Sequence, residues 1–278
     1  MSPVAHAMYS FVSYNQSYNI AYVRDDSRPE TIQDVVCGNR DGNTRYFADM
    51  AALSANIYSD VSNLKNTHVG NWKRVTPDEV FLDRKKWIIF LGLKYDLWRN
   101  DHNRKMAVVF RGTVDGHSWL SNFHWFFKRL PFVQDQYEQV RVILPKLLNR
   151  LPSEVKEYDL FSTGHSLGGG LAQFASYLSP QIAKVFAFNS SPVTGWTDFT
   201  PEHLKKSAKG NEIYRIHENG EALEAFRLFM KMTYIFNPMP NKDPYFKEYR
   251  FNLRGGGIVE QHSITQLAQA LAIAKETC

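Results

Sequence analysis

The chain has 278 residues, of which 44% are hydrophobic and 22% charged, so it is long enough for one large core and has a globular composition. It contains no apolar run of the roughly 18 residues that a membrane-spanning helix needs, and its first twenty residues lack the features of a secretory signal. The net charge of +5 is spread over scattered basic residues and forms no stripe of the kind that binds nucleic acid. We therefore expect no nucleic-acid partner, and either a cytoplasmic protein or one exported by a leaderless route.

The cysteine content gives an indication of the redox compartment. Cys37 and Cys278 are the only two cysteines. We therefore expect no disulfide framework and a reducing compartment.

Taken in chain order, the predicted elements alternate between helices and strands. Residues 1–45 are aromatic and polar, with several turn signals, and predict an irregular N-terminal extension. Hydrophobic periodicity predicts helices at 46–58, at 137–151, after Ser166, from about 220 and from 263, and strands at 87–93, 106–110, around Leu160, at 184–188 and at 212–217. This alternation predicts an α/β fold with a mostly parallel sheet, helices on both faces, and a single domain over residues 1–278.

The segment Gly164-His165-Ser166-Leu167-Gly168 follows the apolar strand and precedes a small-residue helix. This context is typical of a nucleophile elbow, where the serine occupies a sharp turn and its neighbours two residues away must lack side chains. The backbone N–H of Leu167 would then face a developing oxyanion. The alternative is a glycine-rich turn that merely contains a serine.

A serine nucleophile needs a histidine as its base and an acid to orient that histidine, and both follow the serine in elbow-containing hydrolases. The histidines downstream are His203, His217 and His262. His203 lies in a polar segment and His217 ends a predicted strand. His262 is favoured because it precedes Ser263, which can cap the last helix, although a merely structural loop histidine is the alternative.

Several separated motifs occur in an order that resembles the class 3 (fungal-lipase-like) lipases of the α/β-hydrolase superfamily. The resemblance runs from about residue 46 to 272. The matching residues are Ala51–Tyr58, Val108–Thr113, Trp119, Asn122, Gly164–Gly169, Phe188–Pro192 and His262. It implies an α/β-hydrolase fold, with the backbone N–H of Thr113 as a second oxyanion donor beside Leu167.

The resemblance leaves the acid less certain than the serine. Where the family has an aspartate, alignment on the preceding strand gives Glu221, with Glu218 and Asp243 as alternatives. Glu221 could also be an ordinary glutamate in the first turn of a helix. Residues 115–132 are rich in aromatic side chains and resemble the family's lid, although the same rings could instead form the core of a surface helix.

These expectations combine into one functional hypothesis. Ser166, His262 and Glu221 form a catalytic triad that cleaves carboxylic esters of lipids, in the manner of a lipase or phospholipase. We expect no cofactor and no metal, transient contact with a lipid surface, and protein partners that the sequence does not identify. The alternatives are a non-catalytic lipase-like scaffold that binds lipid or protein, and an acyltransferase or thioesterase on the same fold.

Overall fold

The structure is a computed structural model. It describes residues 20–23, 26–58, 67–75, 93–112, 130–208, 210–221, 223–224, 227, 246–253 and 261–278. For residues 20–30, 130–135, 197, 205 and 246 it describes the backbone alone.

The described strands form one ten-stranded sheet in the order β2-β1-β10-β9-β8-β7-β6-β5-β4-β3. The strands are β1 Ile20–Val23, β2 Asp26–Thr31, β3 His68–Val69, β4 Trp72–Arg74, β5 Tyr95–Asn100, β6 Lys105–Phe110, β7 Asp159–His165, β8 Ile182–Phe188, β9 Glu212–Glu218 and β10 Phe246–Phe251. The five central strands, β6 to β10, pair in parallel, and the strands outside them pair antiparallel. The predicted parallel α/β sheet is therefore confirmed at its centre, and the architecture is that of an α/β-hydrolase.

Helices cover both faces of the sheet, as predicted. They are α1 Ile32–Cys37, α2 Phe47–Asn56, α3 Leu130–Asn149, α4 Leu167–Leu178, α5 Pro201–Ser207 and α6 Ile264–Lys275. On one face α1, α2 and α6 pack against the sheet, and on the other face α3, α4 and α5 do so. Three of these helices begin with a hydroxyl cap, because the side chains of Thr31, Thr200 and Ser263 accept hydrogen bonds from backbone N–H groups in the first turn.

The central strands are apolar on both sides, which places a hydrophobic core on each face. In β6, Ala107 and Val109 belong to the core under α2 and α6, whereas Met106, Val108 and Phe110 belong to the core under α3 and α4. Successive side chains in a strand point to opposite faces, so a strand covered on both sides must be apolar throughout.

The α2 face is held mainly by aromatic contacts around Phe47. This fully buried ring meets Phe186, Tyr214 and Tyr249 edge to face, at centroid distances of 6.0, 5.7 and 5.0 Å. Edge-to-face packing is a preferred geometry for aromatic pairs. The contact fixes α2 across three neighbouring strands and so positions its C-terminal end, near Tyr58, at one edge of the sheet.

Some predicted elements need correction. Residues 1–45 are not irregular throughout, because β1, β2 and α1 occupy much of 20–37. The strand before the polar turn at 101–104 is β5, Tyr95–Asn100, which sequence reasoning missed together with β3, β4 and β10. The strand was missed because Asp96 and Arg99 interrupt its apolar pattern. Asp96 is nevertheless buried, and its Oδ2 lies 2.7 Å from Arg74 Nη2.

Other predictions fall partly or wholly on residues outside the described ranges. These are the strand at 87–93, apart from Leu93, and most of the helix from about 220. The lid at 115–132 also falls outside them, apart from its last three residues, which begin α3. The helix predicted at 137–151 exists, and it starts earlier than predicted, at Leu130.

The expectation that no disulfide forms is wrong. Cys37, at the end of α1, is bonded to Cys278, with 5.5 Å between their Cα atoms. The two residues are 241 positions apart in sequence, and the packing of α1 beside α6 on the same face brings them together. No local pattern could have revealed this pairing. The expectation of a reducing compartment, which rested on the cysteine count, loses its support.

No helix in the described part of the chain is long and apolar enough to cross a membrane.

The disulfide generates a stability prediction. Because it closes a very long loop, reducing it should destabilise the protein by about 2–4 kcal/mol, mainly by freeing the unfolded chain. Thermal unfolding with and without dithiothreitol measures this difference. The double variant C37S/C278S is the control and should unfold at the reduced protein's temperature under both conditions. An identical melting temperature for oxidised and reduced wild type would contradict the prediction.

Candidate active site

The predicted site residues gather at the carboxyl edge of the parallel strands. Ser166 follows β7, the acid loop with Glu221 follows β9, and His262 directly precedes Ser263, the cap of α6. The register pairs Phe110 with Gly164 and His165 with Phe188, so these strands end side by side. Ligands and reactive groups in open α/β sheets collect at this edge.

Ser166 occupies the sharp turn that the sequence predicts. Its φ of 57° and ψ of −125° lie in a region that a residue with a side chain rarely adopts. The turn is secured by three hydrogen bonds to its backbone. Ser166 N–H donates to the carbonyl of Phe188 at 3.1 Å, and its own carbonyl accepts from Gly169 N–H and Ser191 N–H, both at 3.0 Å.

The two glycines that flank Ser166 are required by the close approach of the backbone of β6 and of the first turn of α4. A Cβ at Gly168 would stand 2.2 Å from the carbonyl oxygen of Phe110, and a Cβ at Gly164 would stand 2.3 Å from the carbonyl oxygen of Gly168. These contacts confirm the steric reason for both glycines. They also let Leu167, the first residue of α4, present a backbone N–H that has no acceptor within its own helix.

Glu221 and His262 are bonded to each other. The Glu221 carboxylate accepts from His262 Nδ1 at 2.5 Å through Oε2, and the same oxygen accepts from Leu223 N–H at 3.1 Å. Both residues are buried, at 2% and 5% exposure, beside Ser166 at 6%. Because Nδ1 carries the proton in this bond, Nε2 is the basic nitrogen of the imidazole.

The second oxygen of Glu221 is held by Arg227. Arg227 Nη2 donates to Glu221 Oε1, and its Nη1 donates to the carbonyl of Ser190 at 3.0 Å. Burial raises the pKa of the Glu221 carboxyl, but the Arg227 charge and the hydrogen bond from His262 outweigh it and lower that pKa to about 2. Glu221 is therefore ionised at neutral pH.

His165, the residue before Ser166, docks the His262 loop onto the elbow. Its ring lies 4.6 Å from the His262 ring, and its Nε2 donates to the His262 carbonyl at 2.7 Å. Its Nδ1 therefore accepts from the Tyr58 hydroxyl at 3.2 Å, and Tyr58 in turn accepts from Gly112 N–H at 3.0 Å. Burial and the nearby His262 lower the pKa of His165 to about 3, so it stays neutral.

Asn189 links the loop that carries the acid to the loop that carries the histidine. It is fully buried, with a φ of 39°, and its Oδ1 accepts from Glu218 N–H at 2.8 Å while its Nδ2 donates to the Gln261 carbonyl at 3.2 Å. The Gln261 amide nitrogen, oriented toward the acid loop, reaches the carbonyls of Asn219 and Gly220 at 2.8 and 2.9 Å. Two bridges therefore fix the spacing between Glu221 and His262.

The other candidates from the sequence take no part in the bond between Glu221 and His262. Glu218 Oε1 accepts from Leu253 N–H at 2.7 Å. His203, in α5, donates from Nε2 to the carbonyl of Tyr177 in α4 at 2.9 Å. His217 is buried at 4% exposure in β9, and burial followed by the Arg227 charge lowers its pKa well below the usual value. Thr113 and Asp243 lie outside the described residues.

Sequence reasoning missed Tyr58, Asn189 and Arg227. Asn189 and Tyr58 lie within motifs that match the lipase family, but the matching alone assigned them no contact. Arg227 stands six residues after Glu221, and only the folded structure shows that it is buried and must therefore be paired. Within the described ranges, no group of three or more His, Cys, Asp or Glu side chains is placed to hold a metal ion.

Comparison with known proteins decides the family. The family model described as a Tle-like phospholipase domain matches residues 49–225, well over half of the chain, and its span includes Ser166 and Glu221. The chain belongs to the Tle-like phospholipase family. This family agrees with the lipase resemblance drawn from the motifs.

Relatives of this Tle-like phospholipase domain include one curated protein and several solved structures. The extracellular phospholipase A1 of Serratia liquefaciens is 29% identical over 136 residues, which are 48% of this chain and 39% of that protein. The chain thus matches about two fifths of that relative's length. The Rhizopus microsporus var. chinensis lipase is 17% identical, with 65% of this chain and 67% of that one covered and a TM-score of 0.44. For Yarrowia lipolytica Lip2 lipase the identity is 16%, the coverage 66% and 74%, and the TM-score 0.44.

The crowded elbow of the Tle-like phospholipase domain generates a second prediction. Gly168→Ala should destabilise the protein by about 1–3 kcal/mol or more, because its methyl group would collide with the rigid Phe110 carbonyl. Gly42→Ala is the matched control, since nothing lies within 4 Å of the added Cβ. Chemical denaturation of both variants measures the difference. Equal stability of the two would show that the elbow can relax.

Proposed function

We propose that this protein is a serine carboxylic-ester hydrolase that removes an acyl chain from phospholipids. The observation that carries the proposal is a serine in a nucleophile elbow whose preceding residue, His165, contacts the histidine of a buried, bonded glutamate–histidine pair. A serine hydroxyl alone is too weakly acidic to attack an ester, and such a pair supplies the missing base. The phospholipase family model and the name of the Serratia relative support phospholipid as the substrate.

In the proposed mechanism, Ser166 Oγ attacks the ester carbonyl carbon as its proton passes to His262 Nε2. Glu221 holds the imidazole by Nδ1 and stabilises the positive charge that forms on it. The carbonyl oxygen becomes an oxyanion that accepts a hydrogen bond from Leu167 N–H. Thr113 N–H, expected from the lipase resemblance, would be the second donor.

Collapse of the oxyanion breaks the ester bond, and the leaving alcohol, a lysophospholipid, takes the proton from His262. The acyl chain is then esterified to Ser166. Water attacks this acyl-enzyme while giving a proton to His262, and the second collapse releases a fatty acid and returns the proton to Ser166. One water is consumed, and one ester becomes one acid and one alcohol.

In this proposal, the catalytic groups are already held in their working positions before the substrate binds. Protein groups hold both oxygens of Glu221 and the Nδ1 of His262, so little reorganisation is needed when charge develops. The non-catalytic scaffold reading drew its support from the unusual acid loop, and the bond between Glu221 and His262 weakens that support. Acyl transfer to an alcohol other than water would use the same acyl-enzyme.

The third prediction concerns the nucleophile. Ser166→Ala should abolish release of fatty acid from phosphatidylcholine vesicles and should block covalent labelling by a fluorophosphonate probe. Ser176→Ala, which removes another buried hydroxyl from the following helix, should leave both unchanged. Mass spectrometry of the labelled protein identifies the modified peptide. Persistent labelling of the Ser166 variant would overturn the assignment, and hydrolysis of triacylglycerol but not of phosphatidylcholine would move the substrate from phospholipid to neutral lipid.

The fourth prediction separates the two neighbouring carboxylates. Glu221→Gln should lower kcat by up to about 10⁴-fold, as loss of the orienting acid does in a serine protease. Glu218→Gln should have a much smaller effect, since Glu218 bonds to the Leu253 backbone instead. Turnover of a soluble p-nitrophenyl ester measures both. The reverse ranking would place the acid at Glu218.

A further inference from the structure

We propose that Arg227 is a positioning residue for this hydrolysis: it locks the Glu221 carboxylate in the orientation and charge state that His262 requires. The proposal rests on the proposed function, because it assigns a task within the same site. Arg227 acts through Glu221 and is not itself a catalytic residue.

The first argument is geometric. A glutamate has one more rotatable bond than an aspartate, so its carboxylate can adopt more orientations. Arg227 binds Oε1, while Leu223 N–H and His262 Nδ1 bind Oε2. With both oxygens engaged, the carboxylate plane cannot turn away from the imidazole.

The second argument concerns what holds Arg227 itself. Its other terminal nitrogen, Nη1, donates to the carbonyl of Ser190 at 3.0 Å. The next residue, Ser191, donates its N–H to the carbonyl of Ser166 at 3.0 Å. Arg227 therefore connects Glu221 to the loop that also holds the elbow. The position of the acid is thus fixed relative to the nucleophile as well as within its own loop. A guanidinium suits this task because its planar fork can serve two acceptors at once.

The third argument is electrostatic. Glu221 is 2% exposed, so its negative charge has almost no water to solvate it. Arg227, at 9% exposure, supplies the compensating positive charge within the same buried region. A buried ion pair that loses one partner leaves the other uncompensated, and a carboxyl group in that position tends to take up a proton. A protonated Glu221 could no longer stabilise a positive imidazole.

The charged groups around this pair come from four parts of the fold: the loop before α6, and strands β7, β9 and β10. His262 and His165 face Glu221 from the α6 loop and from β7, and His217 faces it from β9. From β10, Glu248 and Arg250 act on His217, and they bond to each other at 2.7 Å. Arg250 also bonds to Glu224 at 3.3 Å, so its charge is shared between two carboxylates. Among the described residues, Arg227 is the Lys or Arg side chain bonded to Glu221.

The experiment compares Arg227→Met with Arg227→Lys. Arg227→Met should lower kcat on a soluble p-nitrophenyl ester by about 10- to 100-fold, the usual effect of losing a charged hydrogen bond, and should leave KM unchanged. Arg227→Lys keeps the charge and should recover most of the lost rate. Arg74→Met is the control, because it breaks a largely buried ion pair with Asp96. This pair joins β4 and β5, which are separated from β9 by β6, β7 and β8, and the variant should leave kcat unchanged.

The pH profile supplies a readout that a purely structural role would not move. Glu221 and His262 share a short hydrogen bond and therefore titrate as a coupled pair. A nearby cation disfavours proton binding, so removing Arg227 should make this pair take up its proton at a higher pH. The acid limb of kcat/KM in Arg227→Met should therefore move upward by about one unit or more. In Arg227→Lys and Arg74→Met it should stay where the wild type has it. The double variant E221Q/R227M should be no slower than E221Q, since Arg227 acts through Glu221.

Each outcome has a distinct meaning. Wild-type kcat and an unmoved acid limb in Arg227→Met, with Ser166→Ala and Glu221→Gln inactive, would overturn the role of Arg227 alone. An equal loss in the Met and Lys variants without a shift of the limb would also overturn it, because the residue would then be merely structural. Full activity of Ser166→Ala would overturn the proposed function itself. Should Arg227→Met not fold, Arg227→Gln, which keeps a donor without the charge, carries the same test.

Discussion

The strained backbone of Ser166 is the constraint on which the rest of the site depends. A residue with a side chain adopts this conformation only when its surroundings hold it there, at a cost on the order of 1–3 kcal/mol. Here β8 supplies an acceptor, the loop after β8 supplies a donor, and α4 supplies another. Ser166 lies between the end of β7 and the start of α4, so the nucleophile and the Leu167 N–H belong to one turn.

The residues around the elbow show how hydrogen bonds between side chains and backbone hold a buried polar site together. Asn189 bridges the acid and histidine loops, Gln261 bridges them again, and Tyr58 connects Gly112 with His165. Each bond answers a buried donor or acceptor that would otherwise destabilise the fold. Satisfying these groups also fixes loop positions, and so the stability of this edge of the sheet and the precision of the site have a common physical origin.

What the sequence could predict depended on how local each signal was. The elbow is set by five consecutive residues, α2 and α4 by the spacing of their apolar and small residues, and α6 by its periodicity and the Ser263 cap, so these were accessible. Glu221 needed alignment on a strand, because a glutamate in a polar loop has no distinctive local pattern. Arg227, Asn189 and the bond between Cys37 and Cys278 were beyond reach, since each depends on contacts between segments that only the folded sheet brings together. Strand β5 was missed because its buried Asp96 is tolerated through Arg74, a partner more than twenty residues away.

Two imidazoles lie side by side in the site, and their surroundings give them different tasks. The rings of His165 and His262 are 4.6 Å apart, a distance at which two positive charges would repel strongly in a buried environment. His165 donates its one N–H to the His262 carbonyl and accepts a hydrogen bond from the Tyr58 hydroxyl. Protonating His165 would therefore leave Tyr58 without this acceptor. His262 instead faces the ionised Glu221. The proton released by Ser166 in the proposed mechanism therefore has one favourable destination, and His165 serves by staying neutral and holding the loop of its neighbour.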